Sequence, residues 1–202
     1  MKKIKLLIVF FTIGMTLQSC YFPSYQSVAE TNPYLIDFSK GKWYLNNIQV
    51  NGKSDFAFDE LTEKSLSNCL NDSLYLSYGK RKAIYKVPII TEQNASENLS
   101  LLKATQTVDY VIQITGIIGK NEIGAMNIKP MKNEQKTSAS IQIQVYDVNQ
   151  KQLIYGHQTS GNISIENNSE DVVFGKSAQS ILKKCLEKEL KLLLKHGGCQ
   201  KK

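Results

Sequence analysis

The sequence predicts one α/β domain with a mixed sheet of about five strands and three helices, preceded by an export leader and a short linker. Three patterns carry that prediction. Apolar residues alternate with polar ones from Ala139 to Tyr146, the period of a strand with one solvated face. They recur at steps of three and four near residues 57–72 and 170–196, the period of amphipathic helices. The run "VDYVIQITGII" at 108–118 is almost wholly apolar, as in a strand buried on both faces.

At the N-terminus, Lys2, Lys3 and Lys5 precede an apolar stretch from Leu6 to Leu17, the layout of a secretory signal peptide. It is shorter than the roughly 20 apolar residues that a spanning helix needs. The stretch ends in Leu17-Gln18-Ser19-Cys20, which resembles the bacterial lipoprotein signal, or lipobox. A branched apolar residue fits the peptidase pocket, a small residue sits beside the cut, and the cysteine thiol attacks a lipid donor. The resemblance implies that residues 1–19 are removed and that Cys20 carries a diacylglycerol; an ordinary signal peptide with a cysteine near its cut is the competing reading. Two or three acyl chains make a stable anchor, because each buried methylene contributes about 0.8 kcal/mol and one chain alone is marginal.

Residues 20–40 contain Pro23 and Pro33 and read as a tether, with Tyr21, Phe22, Tyr25, Tyr34 and Phe38 arguing that part of it lies on a surface. "KWYLNNIQV" at 42–50 is a first strand ending at the Asn51-Gly52 turn. Phe58, Leu61, Ser65, Leu66, Cys69 and Leu70 place a helix over about 57–72. "SLYLSY" and "AIYKVPII" are short strand candidates, the second demoted to an edge or a strand start by Pro88. A helix over about 95–106 feeds the buried strand at 108–118. Segment 119–137, with its lysines and glutamates, reads as a surface loop. The strand at 139–148 turns at Asn149 to Gln152 into "LIYGHQTSGNIS", an antiparallel hairpin. The final helix, with Phe174, Ala178, Ile181, Leu182, Cys185, Leu186, Leu190 and Leu193 on one side, stops at Gly197-Gly198. The domain therefore spans 41–197, with 198–202 as a tail.

The formal charge of +7 falls to +4 once Lys2, Lys3 and Lys5 leave with the leader. Only Lys80-Arg81-Lys82 and Lys201-Lys202 are grouped, and no aromatic residues interleave them as a nucleic-acid platform requires. The dispersed lysines read as a solvated surface rather than a site for anionic lipid or polymer. Beyond Cys20, the cysteines are Cys69, Cys185 and Cys199. In an oxidising compartment Cys69 and Cys185 could bond if their helices pack side by side; the other reading keeps them as free core residues.

Three passages resemble a known family. "FAFDELTEKSLSNCL" is similar to the first helix of the domain shared by the N-terminal part of TolB, the secretion lipoprotein CsgG and the synthase activator LpoB. "LLKATQTVDYVIQITGII" resembles their helix-then-strand passage, and "IQIQVYDVNQKQLIYGHQTSGNI" their hairpin, over about residues 42–195 in all. Gln150-Lys151 and Thr107 stand where the family usually has glycine. The resemblance implies a periplasmic α/β interaction domain without shared catalytic residues, with roles from secretion pores to activation of wall synthases. A pore is disfavoured here, because 119–137 lacks the apolar band of roughly 9 to 11 residues that a membrane strand takes.

Few residues in the sequence point to chemistry. His157 and His196 have no Cys or carboxylate at metal-ligand spacing, so no metal and no cofactor is expected. "FGKSA" at 174–178 contains the Gly-Lys-Ser of a phosphate loop, but Glu170 stands where the first glycine belongs. Asp109 and Asp147 sit at strand ends, where each is expected to satisfy local backbone N–H groups. The outward row Ser140, Gln142, Gln144 and Tyr146 is the best candidate for a partner-binding face, against the plainer reading of a solvated sheet face. The expectation is a non-enzymatic envelope lipoprotein at the outer membrane, facing the periplasm and binding another envelope protein in secretion, assembly or cell-wall enzyme control. A carrier of a small lipid or glycan is the first alternative, and an enzyme the second.

Overall fold

The computed structural model describes residues 22–31, 36–77, 87–105, 107–122, 135–165 and 175–199. The expected lipobox Leu17, Gln18, Ser19 and Cys20 lies outside the described residues. So do Lys80-Arg81-Lys82, Phe174, the middle of the predicted loop, and the tail from residue 200; residues 175–177 are described and not helical, so the last helix begins at Ala178 rather than near 170. The described elements are β1 (Ser24–Ala29), β2 (Trp43–Leu45), β3 (Gln49–Val50), β4 (Lys53–Ser54), α1 (Phe56–Leu70), β5 (Leu74–Leu76), α2 (Ala95–Thr105), β6 (Tyr110–Asn121), β7 (Gln135–Asp147), β8 (Gln152–Ile165) and α3 (Ala178–His196). They form one α/β unit with a mixed sheet in the order β1-β8-β7-β6-β2-β5 and β3 alongside β6. The strands β1, β8, β7 and β6 are antiparallel, while β2 runs parallel to both β6 and β5.

Eight strands among the described residues, rather than about five, correct the expected count. One extra strand comes from the expected tether. Residues Ser24 to Ala29 pair antiparallel with His157 to Asn162 and close the free edge of β8. The predicted strand at 42–50 is split in two. Asn46 and Asn47 interrupt it: the Asn46 amide donates to the Val87 carbonyl at 3.0 Å, and the N–H of Ile48 donates to the Asp59 carboxylate at 2.7 Å. The turn at Asn51-Gly52 forms as expected, both residues taking positive φ, and it pairs β3 with β4. Within "AIYKVPII", the described residues 87–90 are not strand. Ile90 instead exchanges two hydrogen bonds with the side-chain amide of Gln113, at 2.7 and 3.0 Å, so a glutamine does what a neighbouring strand would do.

The helices obey their end signals. The Asp55 side chain accepts from the N–H groups of Ala57 and Phe58 and starts α1, and Ser177 accepts from Ser180 to start α3. Helix α3 stops where Gly197-Gly198 follow, as the sequence predicts.

Helices α1 and α3 cover one face of the sheet. There Trp43, Leu45, Ile112, Ile114, Ile141, Ile143 and Val145 pack with Phe58, Leu66, Leu70, Ile181, Leu182, Leu186 and Leu193 in the main core. Each such fully buried side chain contributes about 2 kcal/mol. Among the described residues, the other face is covered only at one end, where Leu99 and Leu102 of α2 join Tyr44, Val111, Tyr146 and Val148.

A disulfide links Cys69 on α1 to Cys199, just past the end of α3, across 130 residues with the Cα atoms 5.8 Å apart. This corrects the Cys69–Cys185 alternative: Cys185 is free and fully buried against the sheet, its thiol near the Ala139 carbonyl. Burial pushes that thiol up to about 11, as for a core residue.

Candidate functional site

Polar side chains gather, among the described residues, on the open part of the sheet and in a buried cluster beneath α3.

The open part lies on the side away from α1 and α3. Cross-strand pairing aligns Thr115, Gln142 and Gln158 in one row with Val28, and Ile117, Ser140 and Ser160 in the next with Gln26. Ser140, Gln142 and Gln144 are half-buried there, as alternation along β7 predicts. Gln113 donates to the Gln144 side-chain oxygen at 3.2 Å, and Gln142 donates to Glu30 at 2.6 Å. A shallow depression of about 240 Å³ lies among Gln26, Ile117, Ser138, Ser140, Ser160 and Asn162. Its lining is amide, hydroxyl and aliphatic, without a formal charge, so it offers hydrogen bonds and modest apolar contact.

Tyr146 departs from the expected outward row. It is 5% exposed, packed in the cluster that α2 covers, and burial, with Glu30 and Glu92 adding to it, pushes its hydroxyl up to about 12. The candidate face therefore consists of Ser140, Gln142 and Gln144, with Tyr146 as its packed end. It is also no sheet edge, since β7 lies between β6 and β8. A partner would have to reach it through side chains.

The buried cluster was missed by sequence reasoning. Glu189 of α3 is 0% exposed, and its carboxylate accepts from His157 Nδ1 at 2.8 and 3.0 Å. It also accepts from the Thr159 hydroxyl, which leaves the Thr159 oxygen to accept from Ser27 of β1 at 2.6 Å. A buried carboxylate persists only when hydrogen-bonded in this way. The His196 ring lies beyond Tyr155, their centroids 6.1 Å apart, and burial together with nearby His157 holds the His196 pKa below its ordinary value.

A nucleophilic triad needs the imidazole between hydroxyl and carboxylate. Here the carboxylate sits between imidazole and hydroxyl, which is not the order of a triad; the bonds tie α3 to β8 and, through Ser27, to β1.

Asp147 serves local backbone as expected, whereas the backbone donor to Asp109 is not local but 67 residues away in sequence. Asp109 accepts from the N–H of Lys42 at 2.9 Å, and Asp147 accepts from the N–H groups of Asn149 and Gln150, both at 2.8 Å. Among the described residues, no group of three or more His, Cys, Asp or Glu side chains is placed to hold a metal ion. No described helix is long and apolar enough to cross a membrane.

No family model matches the chain, and no curated protein matches it. Solved structures similar to it include the PelC dodecamer from Paraburkholderia phytofirmans, at 10% identity and TM-score 0.43, covering 89% of this chain and 100% of that one. The hypothetical protein CT253 from Chlamydia trachomatis is similar at 13% identity and TM-score 0.36, covering 76% and 98%. Lipoprotein GNA1162 from Neisseria meningitidis is similar at 9% identity and TM-score 0.35, covering 77% and 99%.

Proposed function

We propose that the protein is a bacterial envelope lipoprotein, acylated at Cys20 after loss of residues 1–19, whose domain is a non-enzymatic binding module at the outer membrane, facing the periplasm. The observation that carries this reading is the sequence Leu17-Gln18-Ser19-Cys20 placed four residues ahead of Ser24, the first residue of the sheet. The folded body is then tied closely to a bilayer and acts on what lies beside it. The order strand, helix, strand, helix, strand, hairpin and helix fits the resemblance to the TolB, CsgG and LpoB domain. On this reading the partner is another envelope protein, engaged through Ser140, Gln142 and Gln144 in secretion, assembly or control of a wall enzyme.

Two measurements test it. Mass spectrometry of the mature chain from its native cells is expected to show a diacylglycerol on residue 20 and no leader; an unmodified Cys20 overturns the anchor. A photo-crosslinking amino acid placed at Gln142 or Gln144 in living cells is expected to capture one dominant protein that the same group at Lys103, on α2, does not. Equal labelling from both positions removes this face from consideration.

A further inference from the structure

Lysines that look dispersed along the sequence align on the fold. Lys184, Lys188, Lys191 and Lys195 follow steps of four, three and four on α3, and all are exposed. At about 100° per residue they fall within one arc about 60° wide, in a row about 16 Å long. Lys183 lies next to the row and is also exposed, near Glu60 and Lys64 of α1, while Glu187 pairs with Lys184 at 2.9 Å. The outer surface of this one helix thus holds five lysines against one glutamate. That +4 equals the formal charge of the whole chain from residue 20 onward, so the rest of that chain is neutral as a sum.

The row is placed by the strand that leads to the anchor. Lys188 Nζ lies 4.4 Å from the centre of the Tyr25 ring, and Tyr25 rests against Gly161 of β8, where any Cβ would collide with it and with Ile181. Tyr25 is five residues from Cys20, and five residues span at most about 18 Å of chain. Cys20 therefore lies within about 18 Å of Tyr25, which brings a lipid on it within reach of the lysine row.

We infer that α3 lies along the membrane surface with Lys184, Lys188, Lys191 and Lys195 among anionic phospholipid headgroups. The inference rests on the acylation of Cys20 proposed above, and it names a second signal that fixes how the anchored body sits. Acyl chains give attachment without orientation; a basic row beside them adds both affinity and a preferred face. With α3 against the bilayer, Ser140, Gln142 and Gln144 on the opposite side of the sheet point away from it, toward a partner. Each lysine near an anionic surface strengthens binding about five-fold, the equivalent of about 1 kcal/mol.

The test uses the full acylated protein on vesicles of phosphatidylcholine with about one third phosphatidylglycerol, carrying a headgroup quencher. A fluorescent amino acid replaces Ser180, on the outer side of α3, or Ser140, on the open face. Quenching is expected to be several-fold stronger at 180 than at 140. The difference is expected to vanish in about 1 M salt, where the screening length is about 3 Å, and in the variant combining Lys184→Gln, Lys188→Gln, Lys191→Gln and Lys195→Gln. Equal quenching at the two positions, or the same difference on phosphatidylcholine alone, overturns the inference while leaving the anchor intact. Salt dependence in the unsubstituted chain keeps the test valid should the four-fold variant misfold. A chain isolated from native cells with unmodified Cys20 overturns the anchor; its flotation with anionic but not neutral vesicles then keeps the lysine row, and its flotation with neither overturns both.

Discussion

On the face that α1 and α3 cover, β7 contributes Ala139, Ile141, Ile143 and Val145, all buried, whereas on the opposite face the same strand contributes Ser140, Gln142 and Gln144, all half-exposed. The covered face sets the register, because a slip by one residue would turn every one of those aliphatic side chains toward water. It also holds a carboxylate, which it can keep only by saturating it with His157 and Thr159. The open face is free of both duties. Gln142 and Gln144 bond there to Glu30 and Gln113 but fill no core, and this division can be probed from either side.

The largest effect is expected at the clasp behind the covered face. Cys199→Ser opens the bond to Cys69 and should cost about 2–5 kcal/mol, given the length of the loop it closes. Chemical denaturation compares the variant with the oxidised parent, and coincident midpoints would show that the two helices need no clasp. Next comes the buried carboxylate. Glu189→Leu leaves His157 and Thr159 without their shared acceptor and should cost about 3 kcal/mol. Adding His157→Leu should recover part of that loss; strict additivity in a double-mutant cycle would contradict the coupling.

The comparison sharpens within one face. Tyr146→Ala should cost about 3 kcal/mol, as for a large side chain removed from a core, while Gln142→Ala, four residues earlier on the same strand, should change stability by less than about 0.5 kcal/mol. Similar losses at both positions would mean that the open face is packed after all. The smallest effect is a slope in pH. The folded-state pKa of His196 lies below 6.5, so just below pH 6.5 the unfolded chain binds the proton more readily. Stability should therefore rise with pH through that window, and His196→Gln should flatten the rise. An unchanged slope in the variant would assign it to other groups.

The sheet centre and the last helix were legible because their periods are long and regular: alternation along β7, and three-and-four spacing along α3. Strand β1 was not, since an edge strand with most side chains in water shows little apolar pattern, and "SYQSVA" offers only Tyr25 as a large apolar side chain on the core side, with Ser27 and Ala29 beside it. The split between β2 and β3 depended on Asn46 and Asp59 finding partners far away in sequence. Glu189 could have been found. It stands four residues after Cys185 and four before Leu193, a position in the apolar stripe where an acid needs a partner. Tyr146 misled because alternation tells which face a residue takes and not whether a helix lies over it. The Cys69–Cys199 bond requires the chain end to return to α1, and no local pattern encodes that return.

Strand β1 also sets an order of events. Chains are made from the N-terminus, and the residues that pair with Ser24 to Ala29 do not exist until His157 to Asn162 have been added. The earliest-made of the described strands thus cannot pair with β8 until about four fifths of the chain has emerged. The β6–β7–β8 meander supplies its template, so the segment nearest the start of the protein is among the last to find its place.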